Sequence, residues 1–215
     1  MSLLRGGVFL AGVGGQGILL ASEILGEAFL RSGYDVKKSE VHGMAQRGGA
    51  VTTHLRFGPR VYAPLIEPGT ADLLIAFEKL EALRFLHFLK PGGTVLVNAQ
   101  EIPPAPVSSG QARYPERIEE RLREATPDVH VLDALGAALA LHEVRAVNMV
   151  MTGAASHFLP LAEAKYLEAL AARLPTRFVE VNTRAFRAGR ALVVPPDAGR
   201  GGYADDGVPA HGGDR

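Results

Sequence analysis

Gly12-Val13-Gly14-Gly15-Gln16-Gly17 follows the apolar run Val8-Phe9-Leu10-Ala11 directly, and glycines at this spacing can cradle an anion. Glycine permits positive φ, lets backbone approach a ligand and lets a helix pack close to a strand. The free N–H groups that open the following helix offer partial positive charge to a phosphate or carboxylate. Gly12, Gly14 and Gly17 match dinucleotide spacing, and Glu40 stands at about the distance at which an acid takes the ribose hydroxyls of NAD. The same six residues also read as a tight strand-to-helix turn that binds no nucleotide and packs against another subunit.

A second glycine-punctuated stretch, Glu40-Val41-His42-Gly43-Met44-Ala45-Gln46-Arg47-Gly48-Gly49, has no place in an ordinary dinucleotide pattern. Arg47 beside Gly48 and Gly49 can present a fixed guanidinium to a carboxylate or phosphate; a surface or interface arginine is the commoner meaning of such a residue. His42 alone is more often a hydrogen-bonded bystander than an acid or base. His54, His87, His130, His142 and His157 are likewise scattered without metal-ligand spacing, and no nucleophilic triad is visible. No catalytic residue and no metal ligand is therefore assigned. Cysteine is absent from all 215 residues, which excludes thiolate catalysis and cysteine-ligated iron–sulfur clusters within the chain.

These loops need a layered scaffold, and the hydrophobic pattern supplies one. Apolar runs alternate with amphipathic segments, which predicts an α/β fold: a three-layer, Rossmann-like, mainly parallel sheet with helices on both faces. Strands are expected near residues 7–11, 34–41, 50–57, 71–77, 94–98 and 129–132. Helices are expected near 16–31, 80–89, 115–125, 134–142, 147–158, 162–174 and, in short form, 183–190. No long helix separates 34–41 from 50–57, so the latter should pair antiparallel or at an edge. Pro103-Pro104-Ala105-Pro106 reads as a stiff surface crossing. One domain is expected over 1–194, with 195–215 a Gly-, Pro- and Asp-rich tail that has little to bury.

Apolar residues make up 47% of the chain and charged residues 21%, and formal charge sums to zero. That balance removes any bulk electrostatic argument for nucleic acid or an anionic membrane. The apolar runs are too short to span a bilayer, and the first residues lack the features of a signal peptide. A soluble cytoplasmic protein is the expectation.

At the level of whole motifs, residues 12–36 and 39–58 closely resemble the gamma-type domain of 2-oxoacid:ferredoxin oxidoreductases. SEVHGMAQRGG, residues 39–49, is especially close to the small subunit of the indolepyruvate type. Tyr62-Ala63-Pro64-Leu65-Ile66, Ala71-Asp72-Leu73-Leu74, the turn 89–93, Asn98 and the segment 148–154 fit as well. The resemblance runs over roughly residues 5–192. It implies a complex that oxidatively decarboxylates a 2-oxoacid to an acyl-CoA and passes electrons to ferredoxin. Thiamine diphosphate and iron–sulfur clusters would sit on a large partner subunit, CoA would be a co-substrate of the complex, and this chain would bind none of them alone.

In such a complex Gly12, Gly14, Gly15, Gln16 and Gly17 would form an anion-binding or interface loop. Glu40, His42, Gly43, Gln46, Arg47, Gly48 and Gly49 would shape the interface and active site. An isolated copy should expose apolar surface near these loops and pair with a second copy there. Two other functions stay open on the residues alone: a non-catalytic CoA- or nucleotide-binding homodimer, and a stand-alone NAD(P)- or flavin-dependent enzyme.

Overall fold

The computed structural model describes residues 4–43 and 49–194, with only the backbone of His42. Val8 and Leu10 project to one side of their strand, Phe9 and Ala11 to the other, and all four are buried. A strand apolar on both sides belongs in the middle of a covered sheet. This strand, β1 (Gly6–Val13), does sit inside a six-stranded sheet. The others are β2 (Asp35–His42), β3 (Ala50–Gly58), β4 (Ala71–Ala76), β5 (Leu89–Asn98) and β6 (Val129–Leu132). Their order is β2-β3-β1-β4-β5-β6.

β1, β4, β5 and β6 are parallel, as expected. β3 is antiparallel to both its neighbours, pairing Gly12 with Val51 on one side and Glu40 with Thr53 on the other. The antiparallel edge is thus the β2–β3 hairpin, with β2 outermost and β3 one position in. A connection as short as 43–49 cannot carry a parallel crossover, so β3 folds back. α1 (Ile18–Arg31) is long enough to carry the chain over the vacant position that β3 then fills.

Helices α1, α5 (Ala134–Ala140), α6 (Val147–Ala155), α7 (Glu163–Arg173) and α8 (Thr176–Ala191) build the core on one face. In α1 the buried set Ile18, Ala21, Leu25, Ala28 and Phe29 recurs at helical spacing, and Phe29 stacks on Phe57 at 3.9 Å. α2 (Lys79–Phe85) and α4 (Ile118–Ala125) cover β1, β4 and β5 on the other face. There Phe9 stacks on Phe88 at 4.2 Å. Among the described residues no helix lies on the same face of β2–β3. The segment 59–70 crosses it instead, tied by Ile66 N–H to His54 Nδ1 at 3.0 Å and by Arg56 Nη1 to the carbonyls of Ala63 and Leu65.

Three local expectations are corrected. The short helix expected at 183–190 is the 16-residue α8; its polar first half carries little apolar periodicity. The helix expected to reach residue 89 stops at Phe85 and finishes as a 3-10 turn, Leu86–Phe88. β5 already begins at Leu89, and its ladder with β4 jumps from Ala71–Leu89 to Leu73–Thr94, so Pro91, Gly92 and Gly93 bulge within a strand. The crossing at 103–106 contributes a short helix, α3 (Ala105–Ser108). Between α6 and α8 the backbones meet at two glycines, Gly153 against Phe186 O and Gly189 against Val150 O.

His54 makes this fold sensitive to acid. Its Nδ1 accepts from Ile66 N–H, and burial lowers its pKa from 6.5. Burial lowers His157 as well. The folded chain therefore binds fewer protons than the unfolded chain just below pH 6.5, so stability is full above that pH and is lost as pH falls below it. Urea unfolding midpoints should drop between about pH 7.5 and pH 5.5. His54→Gln keeps an acceptor for Ile66 and should flatten part of that drop. An identical drop in the variant would assign it to other groups.

Candidate functional site

β1 leads into α1 on one face, while β4 leads into α2 on the other. The crevice between their carboxyl ends is where open α/β sheets take ligands. In this chain the Gln16 carboxamide occupies it. Its Oε1 accepts from Val13 N–H at 2.7 Å, and its Nε2 donates to Phe77 O at 2.8 Å and to Gln100 Oε1 at 3.1 Å. The buried Asn98 extends the network. Its Nδ2 donates to Phe77 O at 3.2 Å and Gln100 Oε1 at 3.3 Å, while its Oδ1 accepts from Ala134 N–H at 3.2 Å. Three carboxamides thus tie the ends of β1, β4 and β5 to the start of α5.

This explains two of the loop glycines by packing. A Cβ on Gly12 would lie 2.8 Å from Gln16 Oε1 and 2.9 Å from Phe77 Cβ. Gly17 caps α1 in the left-handed region, and a Cβ there would lie 2.6 Å from Asn148 Nδ2. Asn148 Nδ2 in turn donates to Gly17 O at 3.3 Å. Gly15, at φ 102°, faces open space and makes the turn. Of the loop N–H groups, Val13 is taken by Gln16, Gln16 by Val13 O at 3.2 Å, and Gly14 by Gly49 O at 2.9 Å.

The Gly14–Gly49 bond joins the two loops directly. Gly43 N–H closes the base of the second loop on Ala50 O at 2.8 Å. The structure therefore brings Gly12, Gly14, Gly15, Gln16 and Gly17 together with Gly43 and Gly49. Gln46, Arg47 and Gly48 lie outside the described residues, and His42 is placed only by its backbone pairing with Val51. Glu40 does not join the first loop. β3 lies between β2 and β1, so Glu40 stands two strand spacings, about 10 Å, from β1. Its carboxylate is 2.7 Å from Lys38 Nζ, and Lys38 reaches Ser22 of α1. The ribose-binding geometry suggested by its sequence distance is absent from this topology.

Sequence reasoning missed Gln100, the Phe77 carbonyl and Glu78. The available signal was a polar cluster, Asn98-Ala99-Gln100-Glu101, closing an apolar run. Glu78 is buried, caps α2 through Glu81 N–H, and accepts from Ile102 N–H and Tyr114 OH. Beside it opens a cavity of about 580 Å³ lined by Lys79, Glu101, Tyr114, Arg117, Glu119 and Arg123. Its lysine is neutralised in place. Glu119 at 2.9 Å and Glu101 at 3.2 Å hold Lys79, raising its pKa, and Lys79 holds Glu119 ionised. Burial and the Glu78 carboxylate push the Tyr114 hydroxyl far above its usual range. Among the described residues no group of three or more His, Asp or Glu could hold a metal ion, and no helix is long and apolar enough to cross a membrane.

Comparison with known proteins adds an independent line. The family model described as pyruvate ferredoxin/flavodoxin oxidoreductase matches residues 7–192. Over 188 residues the chain is 41% identical to the indolepyruvate oxidoreductase subunit IorB of Thermococcus kodakarensis, covering 85% of this chain and 93% of that one. Identity falls to 26% over 203 residues with the 2-oxoglutarate synthase subunit KorC of Methanothermobacter thermautotrophicus, covering 89% and 96%. In fold, it is similar to the gamma subunit of a keto/oxoacid ferredoxin oxidoreductase from Geobacter sulfurreducens. That match has a TM-score of 0.63 at 22% identity, covering 87% of this chain and 97% of that one.

Proposed function

Because the chain belongs to the pyruvate ferredoxin/flavodoxin oxidoreductase family, we propose that it is the small subunit of an indolepyruvate-type 2-oxoacid:ferredoxin oxidoreductase. The observation that carries this is the 41% identity to an indolepyruvate oxidoreductase subunit over nearly the full length of both chains, against 26% to a 2-oxoglutarate synthase subunit. The complex would oxidatively decarboxylate an arylpyruvate to an acyl-CoA and reduce ferredoxin in the cytoplasm. Residues 1–194 would form the gamma-type domain, with 195–215 as its tail.

Thiamine diphosphate and iron–sulfur clusters supply the bond-breaking and electron transfer in such enzymes. This chain has no cysteine to ligate an iron–sulfur cluster. As the family resemblance implies, both cofactors would sit on a larger partner. The work of this chain would be to present the first loop, Gly12–Gly17, clasped to Gly49, as a shaped surface against that partner. With Gln16 filling the switch-point crevice, interface shaping is better supported than nucleotide binding.

Anaerobic assay of the large subunit from the same organism tests this, with and without this chain. Arylpyruvate- and CoA-dependent reduction of a viologen dye should require both polypeptides. Full activity of the large subunit alone, or failure of the two to associate, would overturn the assignment.

A further inference from the structure

We propose that the outer face of the β2–β3 hairpin, which no described helix covers and across which residues 59–66 are strapped, docks on a surface of the larger subunit that presents carboxylates beside apolar groups. This rests on the subunit assignment above, and it adds a second contact surface distinct from the glycine loops.

On this part of the molecule large apolar side chains stand in water. Tyr62 is 82% exposed, Leu65 55% and Val41 53%. Val41 lies on the strap side of β2, opposite Thr52, two residues before the second glycine loop. Other exposed large apolar residues, such as Leu30, Leu139, Val144 and Leu192, are spread over the helices. The strap itself is anchored. Ile66 is buried and donates to His54, and Val61 N–H donates to Asp35 Oδ2 at 2.8 Å. A rigid base displaying an exposed tyrosine loses little conformational freedom on binding.

Among the described residues, charge on the same face is mostly basic. Lys37 and Arg56 are directly opposed in the β2–β3 register, an arrangement that costs stability when both are cationic. Arg5, Arg56 and Arg60 line a cavity of about 130 Å³ together with Phe57 and Tyr62. Arg60 lies over the Tyr62 ring at 5.3 Å. The Ala63 and Leu65 carbonyls hold Arg56 by Nη1 alone, so its guanidinium is oriented with other donors to spare. Among the described residues, Asp35 lies 3.9 Å from Lys37, and Glu67 is the other acid, on the segment that crosses this face. The cavity suits a carboxylate side chain, which would relieve the Lys37–Arg56 opposition and pair with arginine in its preferred planar geometry. Tyrosine and arginine around such a slot match the composition of binding hot spots.

Binding of the full chain to the purified larger subunit, measured by calorimetry over a range of ionic strength, tests the surface. Arg60→Glu and Tyr62→Ala should each weaken binding by about tenfold or more. The salt dependence seen with the unmodified chain should flatten in Arg60→Glu. Lys165→Glu, a charge reversal on α7, should bind normally, and Arg60→Glu and Tyr62→Ala should unfold at the unmodified temperature. Unchanged affinity of Arg60→Glu and Tyr62→Ala would overturn the docking surface while leaving the subunit assignment standing. Failure of the unmodified chain to bind would overturn both. Self-association of the chain in sedimentation, lost with Arg60→Glu, would place a second copy on this face and overturn the proposal.

Discussion

Gly153→Ala should cost about 3 kcal/mol or more, a large share of the stability of an ordinary domain. Helix propensity argues the other way, since alanine gains about 1 kcal/mol over glycine in a helix interior. Packing decides the sign. A Cβ at residue 153 would lie 1.9 Å from the Phe186 carbonyl oxygen, and one at 189 would lie 1.8 Å from that of Val150. Neither obstacle is a side chain that can rotate away; each is the backbone of the facing helix. α6 and α8 would have to separate, and α6 is buried at every residue from Val147 to Ala155, so the whole helix would lose contacts. Gly33→Ala makes a useful contrast, because Gly33 has φ 86° with nothing within 4 Å of the added atom. It should cost only the backbone strain, about 1–2 kcal/mol. The double variant Gly153→Ala/Gly189→Ala should cost less than the sum of its parts, because one separation serves both. Urea unfolding followed by far-ultraviolet circular dichroism checks all three. A Gly153→Ala loss below that of Gly33→Ala would refute the close crossing.

Gln16→Glu should cost about 2–3 kcal/mol at pH 7, although it changes one group without changing shape. The carboxylate can still accept from Val13 N–H, but it has no hydrogen to give. An oxygen would then face the Phe77 carbonyl at 2.8 Å and Gln100 Oε1 at 3.1 Å. Gln100 can turn its amide; the Phe77 carbonyl cannot turn. The protonated acid restores a donor, so the folded state favours it and raises the group above its ordinary pKa of about 4.3. The folded variant then binds more protons than its unfolded form above that value, and its stability relative to the parent recovers as pH falls from 7 towards 5. Gln16→Leu removes the same bonds and should show no such recovery. A deficit in Gln16→Glu that is flat with pH would mean that the carboxamide does not bridge β1 and β4. Because Gly14 of the same loop holds Gly49, assembly with the larger subunit should weaken in both variants while the chain still folds.

Much of the molecule is legible from local pattern. The doubly apolar run 8–11, the helical spacing from Ile18 to Phe29 and the glycines between them define the strand, the helix and the turn, because each depends on neighbours three or four residues away. The lack of a helix between β2 and β3 is enough to expect antiparallel pairing. The paired motifs at 12–36 and 39–58 carry the family resemblance, and composition alone, with no cysteine, excludes cysteine-ligated clusters. Boundaries fail where local pattern is weak, as in the polar first half of α8 and in the Pro91–Gly93 bulge.

What only the tertiary structure decided was which distant groups meet. The spacing from Gly12 to Glu40 is the same whether β2 or β3 lies beside β1; the insertion of β3 alone moves Glu40 out of reach. Gln16 reads as a loop residue until Phe77 and Gln100, more than 60 residues away, are placed around its carboxamide. Gly153 and Gly189 read as weak points in two helices until those helices cross, when the missing side chains become the reason they can touch. Periodicity specifies which face of an element is apolar, and it is silent about partners. Partners are chosen by shape and hydrogen bonding across the assembled core, where burial makes an unpaired group or a misplaced atom costly.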